Sequence, residues 1–436
     1  MSSISNHDLL PYSPPIGIYT GSGASHSWLW FVEILDRMGF ENVHFVDERD
    51  ILSNALEPLD VLLMSGGDTF AIAEGLGAEG SDKLRSFINR GGLYIGTCAG
   101  AYLPLRSSMD FLKQFNFINV KISNISRRLS EPERHSFEKV ACSSYGCDFV
   151  YHVVREDVLL EMVNGYQDNG NKEMIAPLYG GPSMLPSEDI EPIATYKGFT
   201  KKTKFLVEEE LAEKTLIGNI AVAKKSMGKG HLYIFGPHFE HPYYPSCNRF
   251  LGEIICKEQN GRPIDTNKDF SEDPRKRIKG EWLRELLKDL KRELSNSRIM
   301  ASGLDDFSVH WLIGNKYYEP EKISVFINTV WDKLKVLESM PDLEIEKESL
   351  LRCIEISKDI TRELRAINSE IKEQGDATPL ASKLFLDLKT LSSLFFRLYF
   401  RVKRDQVRDR PLGGISGSDQ IWHGHRSSPV HRLPYL

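Results

Sequence analysis

Gly92-Leu-Tyr-Ile-Gly-Thr-Cys-Ala-Gly-Ala-Tyr102 is the stretch that decides the fold. Leu93–Ile95 is a short apolar run of strand type, and after Ala101 the pattern turns helical. Between them, Gly96-Thr-Cys98-Ala-Gly100 sets a reactive side chain among small residues at a strand-to-helix junction, the pattern of a nucleophile elbow. Such a turn is tight, and glycines belong where a Cβ would clash or φ must be positive. The spacing predicts a thiol lifted off the sheet edge, with the following helix aiming its N-terminus at it. That end favours thiolate over thiol, and its amides can hold an oxyanion. A free cysteine is also commonly a small buried hydrophobe. In this setting the nucleophile takes precedence, and Cys98 is the leading catalytic candidate.

Outward from the elbow, strand and helix patterns alternate. Ile16–Thr20 reads as a buried strand, Gly21–Ser25 as a turn, and Trp28–Met38 as an amphipathic helix. Asn42–Val46 and Asp60–Met64 are further strands, the latter ending at Ser65-Gly-Gly-Asp-Thr69. A helix follows from about Asp82 to Asn89. The strands are apolar without period-two alternation, which argues for a parallel sheet covered on both faces. Residues 104–140 read as a charged excursion. Short strands then follow at Val150–Val154, Met174–Leu178, Glu191–Thr195 and Gly218–Ala223. A turn at Gly228-Lys-Gly230 leads into His231–Phe235, which delivers Gly236-Pro-His-Phe-Glu-His-Pro242, and Asn248–Cys256 closes with a helix.

The expected organisation is a leader over 1–14, an α/β domain over 15–258, a charged linker over 259–278, an all-α bundle over 279–408 and a tail over 409–436. The bundle is predicted from four helical segments. The first carries a stripe of Trp282, Leu283, Leu286, Leu287, Leu290 and Leu294. Ile323–Met340, Leu343–Gln374 and Ala381–Arg401 supply the others.

Bulk properties narrow the function classes. The 436 residues are 41% hydrophobic and 27% charged with a net charge of −6, an ordinary globular balance with no general attraction to nucleic acid or anionic membrane. Arg275–Lys279 reads as solvated linker rather than a nucleic-acid site. Six scattered cysteines fit a reducing cytoplasm and do not make a disulfide scaffold. The Cys142/Cys147 pair stands without a second close pair, and His423, His425 and His431 lack a tetrahedral ligand set, so no metal and no cofactor is expected. The N-terminal residues lack a signal-peptide pattern. The apolar runs Trp28–Val32 and Leu216–Ala223 are far shorter than a membrane span, and the sequon at Asn124 reads as chance.

A thiol nucleophile needs a base, and the base an orienting carboxylate. Partners should come from loops at the carboxyl edge of the sheet. The loop after Phe235 offers His238 and Glu240, which share a side of an extended segment. His241 is the rival base, but it points the other way and no acid lies two residues beyond it. Gly66 and Gly67, beside Asp68, can floor the pocket and donate backbone N–H groups to an oxyanion together with Ala99. Asp68 and Thr69 can equally cap a helix.

Together these pieces resemble a class I glutamine amidotransferase-like domain, through Gly66-Gly67, Gly96-Thr-Cys98-Ala-Gly100 and His238-Phe-Glu240. The subgroup it is most similar to stands at the N-terminus of certain biotin–protein ligases. The residues carrying that likeness are Tyr19–Ser25, Ser65–Thr69, Gly96–Tyr102, Tyr179-Gly-Gly-Pro182 and Gly228–His238. The resemblance covers about residues 15–258. It implies a flavodoxin-like sheet and a Cys98-His238-Glu240 triad that attacks a small-molecule amide or acyl substrate and forms a thioester. Phe239 stands where many amidotransferases have Pro, and neither a nucleotide-binding glycine loop nor a biotin-ligase segment is present. The alternative function is a non-catalytic module that binds a small molecule or protein. The helical domain is left open as a lid, a surface for self-association or a dock for a protein partner.

Overall fold

The computed structural model describes residues 13–123, 153–167, 170–259, 277–314 and 316–408. The leader through residue 12, the Cys142/Cys147 pair, the Asn124 sequon, most of the linker and the histidine-bearing tail lie outside the described residues.

The chain alternates strand and helix through its first part. β1 (Ile16–Tyr19) leads to α1 (Trp28–Arg37), β2 (Val43–Val46) to α2 (Glu48–Leu52), β3 (Val61–Met64) to α3 (Thr69–Asn89), and β4 (Leu93–Thr97) to a single turn, α4 (Ala99–Tyr102), and α5 (Asp110–Lys113). Next come β5 (Val154–Met162), β6 (Glu173–Leu178), β7 (Glu191–Phe199), β8 (Lys204–Phe205), α6 (Glu209–Leu216), β9 (Ile220–Met227), β10 (Gly230–Phe235) and α7 (Pro245–Gln259). The strands join in the order β2-β1-β3-β4-β10-β9-β7-β5-β6, with β8 on β5. From β2 to β10 the neighbours are parallel. Beyond β10 every pairing is antiparallel. The parallel half is buried along its strands, as a sheet covered on both faces must be.

Helix α3 is longer than its pattern suggests. It begins at Thr69 and breaks at Gly77, where φ is 58°. Gly75, Gly77 and Gly80 dilute the helical signal of its first half. Asp68 supplies the start, accepting from the Phe70 and Ala71 amides.

The C-terminal part holds β11 (Arg277–Ile278), α8 (Gly280–Ser302), β12 (Trp311–Ile313), β13 (Lys316–Tyr318), α9 (Pro320–Glu338), β14 (Ile345–Glu346), α10 (Lys347–Lys372) and α11 (Thr378–Arg408). It is helical but not all-α: β12 and β13 form an antiparallel hairpin, and β11 pairs with β14. The core stripe of α8 is Leu283, Leu287, Leu290 and Leu294. Trp282 lies off that stripe and is 52% exposed, with the Lys347 ammonium 4.2 Å from its ring. One position along a helix is a rotation of about 100°, enough to carry Trp282 from core to flank.

The two parts share a core. Trp28 of α1 and Phe45 of β2 meet Phe326 of α9 and Phe396 and Phe400 of α11. Beside them, Asp36 accepts from Lys333 at 2.5 Å, Lys403 at 2.6 Å and Tyr399 at 3.0 Å. Burial pushes the Asp36 carboxyl up, but the two ammonium groups outweigh it and hold the pKa low.

Replacing Asp36 by Ala strands two lysines at this junction. A fully buried pair broken this way costs about 3–5 kcal/mol. The partial exposure here reduces the expected loss to about 2–3 kcal/mol. Urea unfolding measures it, and limited proteolysis should show the helical part loosening first.

Candidate active site

Four loops at the carboxyl ends of the parallel strands converge. They follow β1 (Gly21–Ser25), β3 (Ser65–Asp68), β4 (Cys98) and β10 (Gly236–Pro242), the edge where open α/β sheets bind ligands. Cys98 sits at the junction of β4 and α4 with φ 49° and ψ −109°. A side-chain-bearing residue rarely adopts that conformation, and its cost persists only where neighbours enforce it. Here the Cys98 amide donates to the Phe235 carbonyl at 3.1 Å, and the Gly100 amide to the Ser65 carbonyl at 3.1 Å.

The thiol is not lifted free of the sheet edge: Cys98 is 9% exposed. Its surroundings are polar as well as apolar, with the Tyr179 carbonyl oxygen 3.8 Å from Sγ. His238 is 3% exposed and hydrogen-bonds through Nδ1 to Glu240 Oε1 at 2.7 Å, leaving Nε2 as its other polar atom. Glu240 is fully buried, and the Thr97 hydroxyl donates to the same oxygen at 2.8 Å. An ideal Cβ on Gly66 would lie 2.7 Å from His238 Cε1 and 3.3 Å from Cys98 Cβ. Only glycine leaves room there for imidazole and thiol to share one wall.

The electrostatics couple thiol and imidazole. Burial alone would raise the Cys98 pKa, but a hydrogen bond and charge from His238, joined by the charge of Lys316, bring it below the ordinary thiol value. Burial would lower His238; the Glu240 carboxylate and the Cys98 sulfur overcome it and raise the imidazole to about 10. The pair thus tends to thiolate and imidazolium. Helix α4 is a single turn, too short for much macrodipole, so the depressed thiol comes from these charges rather than from a helix.

The other predicted residues take distinct places. Gly66 turns its carbonyl toward the Ser25 amide and the Ser25 and Ser27 hydroxyls. Gly67 forms an isolated bridge with Ala24. Among the described residues, the Gly66 and Ala99 amides donate to no backbone carbonyl in the loops. Asp68 caps α3, and the Thr69 hydroxyl donates to the Ala99 carbonyl at 3.1 Å, tying the glycine loop to the elbow. His241 packs among aromatic rings, its centroid 4.5 Å from Trp30 and 6.0 Å from Tyr179, both tilted to it. Burial and the His238 charge bring its pKa to about 3, so it stays neutral. Among the described residues, no three His, Cys, Asp or Glu side chains group as a metal site, and no helix is long and apolar enough to cross a membrane.

Several side chains here have no strong signal in sequence. Thr97, two residues before Ala99, reaches Glu240 only because β4 and β10 are neighbours. Trp30 stands edge-on to His238 at 5.4 Å. Lys316 arrives from the C-terminal hairpin, which local spacing around Cys98 does not reveal.

A family model described as "Biotin-protein ligase, N terminal" matches residues 15–308. The chain belongs to the biotin-protein ligase N-terminal family. Within that family match lie all four converging loops and the first long helix of the C-terminal part. No curated protein matches the chain. Among solved structures, a beta-galactosidase from Bacillus circulans sp. alkalophilus aligns at 10% identity over 58% of this chain and 32% of its own, with a TM-score of 0.33. A thua-like protein from Bacteroides uniformis aligns at 13% identity over 56% of this chain and 90% of its own, with a TM-score of 0.32. The chain spans about a third of the length of that beta-galactosidase.

Because the thiol pKa is depressed, alkylation of Cys98 should persist below the free-thiol midpoint of about 8.5 and fall away as pH drops through the lowered value. His238→Ala, which removes the largest lowering influence, should move that midpoint upward. Iodoacetamide labelling across pH, read at the Cys98 peptide by mass spectrometry, checks both.

Proposed function

We propose that this member of the biotin-protein ligase N-terminal family is a cysteine-dependent amidohydrolase or amidotransferase-like enzyme. The observation that carries the proposal is the buried 2.7 Å His238–Glu240 pair beside a thiol of lowered pKa at a strained elbow. A carboxylate that fixes one ring nitrogen leaves the other to serve the sulfur. The glutamine amidotransferase-like pattern in the sequence agrees with that chemistry, and a reducing, cytoplasmic setting would keep the thiol free.

The Cys98 thiolate attacks the carbonyl carbon of an amide, forming the C–S bond. The oxyanion that develops is within the province of the Gly66 and Ala99 amides. Collapse breaks the C–N bond, and the departing nitrogen takes the proton held by the His238 imidazolium. A thioester remains. Water then attacks it while His238 accepts a water proton. The C–S bond breaks, the carboxylic acid leaves, and thiolate and imidazolium return. Replacing water by an amine acceptor gives transfer instead of hydrolysis. Glu240 keeps the imidazole oriented throughout and gains no proton.

Cys98→Ala should reduce turnover by roughly a thousandfold or more while leaving the unfolding midpoint unchanged within error. The experiment is a panel of amide and ester substrates assayed with intact-protein mass spectrometry. A mass increase on Cys98 that decays with product release supports the mechanism. Turnover equal in wild type and Cys98→Ala would rule it out.

A further inference from the structure

Gly66 borders both the thiol and the imidazole, and its missing side chain is a spatial requirement. An ideal Cβ there would lie 2.7 Å from His238 Cε1 and 3.3 Å from Cys98 Cβ. Gly67 is equally constrained, because a Cβ on it would collide with the Gly23 carbonyl oxygen. Two glycines in succession are the backbone step least able to hold its own dihedrals. The restraint has to come from outside that step.

Buried hydroxyls supply it. Ser25, 1% exposed, donates to the Gly66 carbonyl from its amide at 3.1 Å and from its hydroxyl at 3.0 Å. Ser27, 2% exposed, adds its hydroxyl at 3.2 Å, and the Ser65 hydroxyl approaches the same oxygen at 3.4 Å. Four donors therefore crowd one carbonyl oxygen, which has two lone pairs. The loop that carries Ser25 is itself anchored. The Ser22 amide and hydroxyl donate to Glu48 of α2 at 3.0 and 2.7 Å, and the Lys389 ammonium of α11 donates to the Gly21 carbonyl at 3.4 Å. The Asp68 amide returns to the Gly23 carbonyl at 2.8 Å. On the other side of Gly66, the Gly100 amide donates to the Ser65 carbonyl at 3.1 Å. Both peptide planes that meet at the Gly66 Cα are thus held, one by the elbow and one by the serines.

We propose that Ser25 and Ser27 are positioning residues for acyl transfer at Cys98, fixing the Gly66–Gly67 peptide so that the glycine loop meets the developing oxyanion with amides rather than with a carbonyl.

A trans peptide carries its N–H and C=O on opposite edges, so a flip of the Gly66–Gly67 plane exchanges donor for acceptor on each side. Between two glycines that flip meets little steric resistance. An acceptor turned toward the carbon under attack repels the oxyanion, whereas donors already in place need no reorganisation as charge develops. Neutral hydroxyls satisfy the carbonyl without adding a charge beside the Cys98–His238 pair. The surplus of donors makes the two serines partly redundant, so each covers some of the loss of the other.

This inference rests on the thiolate reading of Cys98, and two reagents separate them. The thiolate displaces iodide from the saturated carbon of iodoacetamide, with no oxyanion on the way. It attacks the carbonyl carbon of p-nitrophenyl acetate, passes through an oxyanion and expels p-nitrophenolate, leaving an acetyl thioester. In the full-length protein, acylation is read as the p-nitrophenolate release that Cys98→Ala abolishes, and alkylation at the Cys98 peptide by mass spectrometry. The ratio of the two rates cancels changes in thiolate fraction. In the wild type it should exceed that of N-acetylcysteinamide, a free thiol, by about a hundredfold. The Ser25→Ala/Ser27→Ala double variant should lower it about fiftyfold, with alkylation held within about twofold. Each single variant should lower it about threefold, and these decide should the double variant fail to fold. A ratio that the substitutions leave unchanged, whether both rates persist or both fall together, overturns the positioning role. A wild-type ratio equal to that of the free thiol overturns it too, while leaving the thiolate intact. Inertness of Cys98 to both reagents overturns the thiolate reading together with this one.

Discussion

The parallel pairing of β4 with β10 is the constraint on which the site depends. Its last register pair sets Thr97 beside Phe235, and one step further the Cys98 amide donates to the Phe235 carbonyl. That hydrogen bond fixes the distance between the chain that turns at the thiol and the chain that turns at the imidazole. Thr97 then reaches the carboxylate behind His238, so two strands are stitched at backbone and side-chain level within one turn. Without this pairing, Cys98, His238 and Glu240 are three residues spread over about 140 positions. With it, they fall within one loop's breadth, and the elbow's unfavourable dihedrals become the only way for the chain to pass.

The loops around that seam reinforce one another. Ser25 and Ser27 hold the Gly66 carbonyl, Thr69 holds the Ala99 carbonyl, and Asn248 of α7 donates to the Phe239 and His241 carbonyls on either side of Glu240. Each is a neutral side chain gripping a main-chain oxygen, and together they fix peptide planes in the loops after β3, β4 and β10. Such bonds are individually modest, about 1 kcal/mol each. Their joint effect is positional, since a site for acyl chemistry tolerates little slack.

Much of this was open to inspection of the sequence, for identifiable reasons. Ile16–Tyr19, Val61–Met64 and Leu93–Thr97 announce themselves because strands buried on both faces read as unbroken apolar runs. His238 and Glu240 stand out by their i, i+2 spacing, and the structure brings the pair to 2.7 Å, though through a turn closed by the His241 amide on the His238 carbonyl rather than along an extended segment. What stayed hidden is non-local. Three glycines mask the first half of α3. The hairpin at 311–318 is two strands of three residues, too short for a period to show between long helices. Trp282 counts toward a stripe by composition but turns out of it by geometry. Lys316 carries no local mark of its destination, because only the packing of the C-terminal part on α1 and β2 brings it to the sheet edge.

That packing sets an order of assembly. The hairpin is braced by Phe385 of α11, whose ring lies 4.4 Å from Tyr318 and 6.3 Å from Trp311. During synthesis the nucleophile and its imidazole emerge from the ribosome well before Phe385 does. The growing polypeptide therefore carries the thiol without the braced hairpin for the time needed to add about 150 further residues, several seconds or more at ordinary elongation rates. Placement of the hairpin thus waits on α11, the last of the described helices.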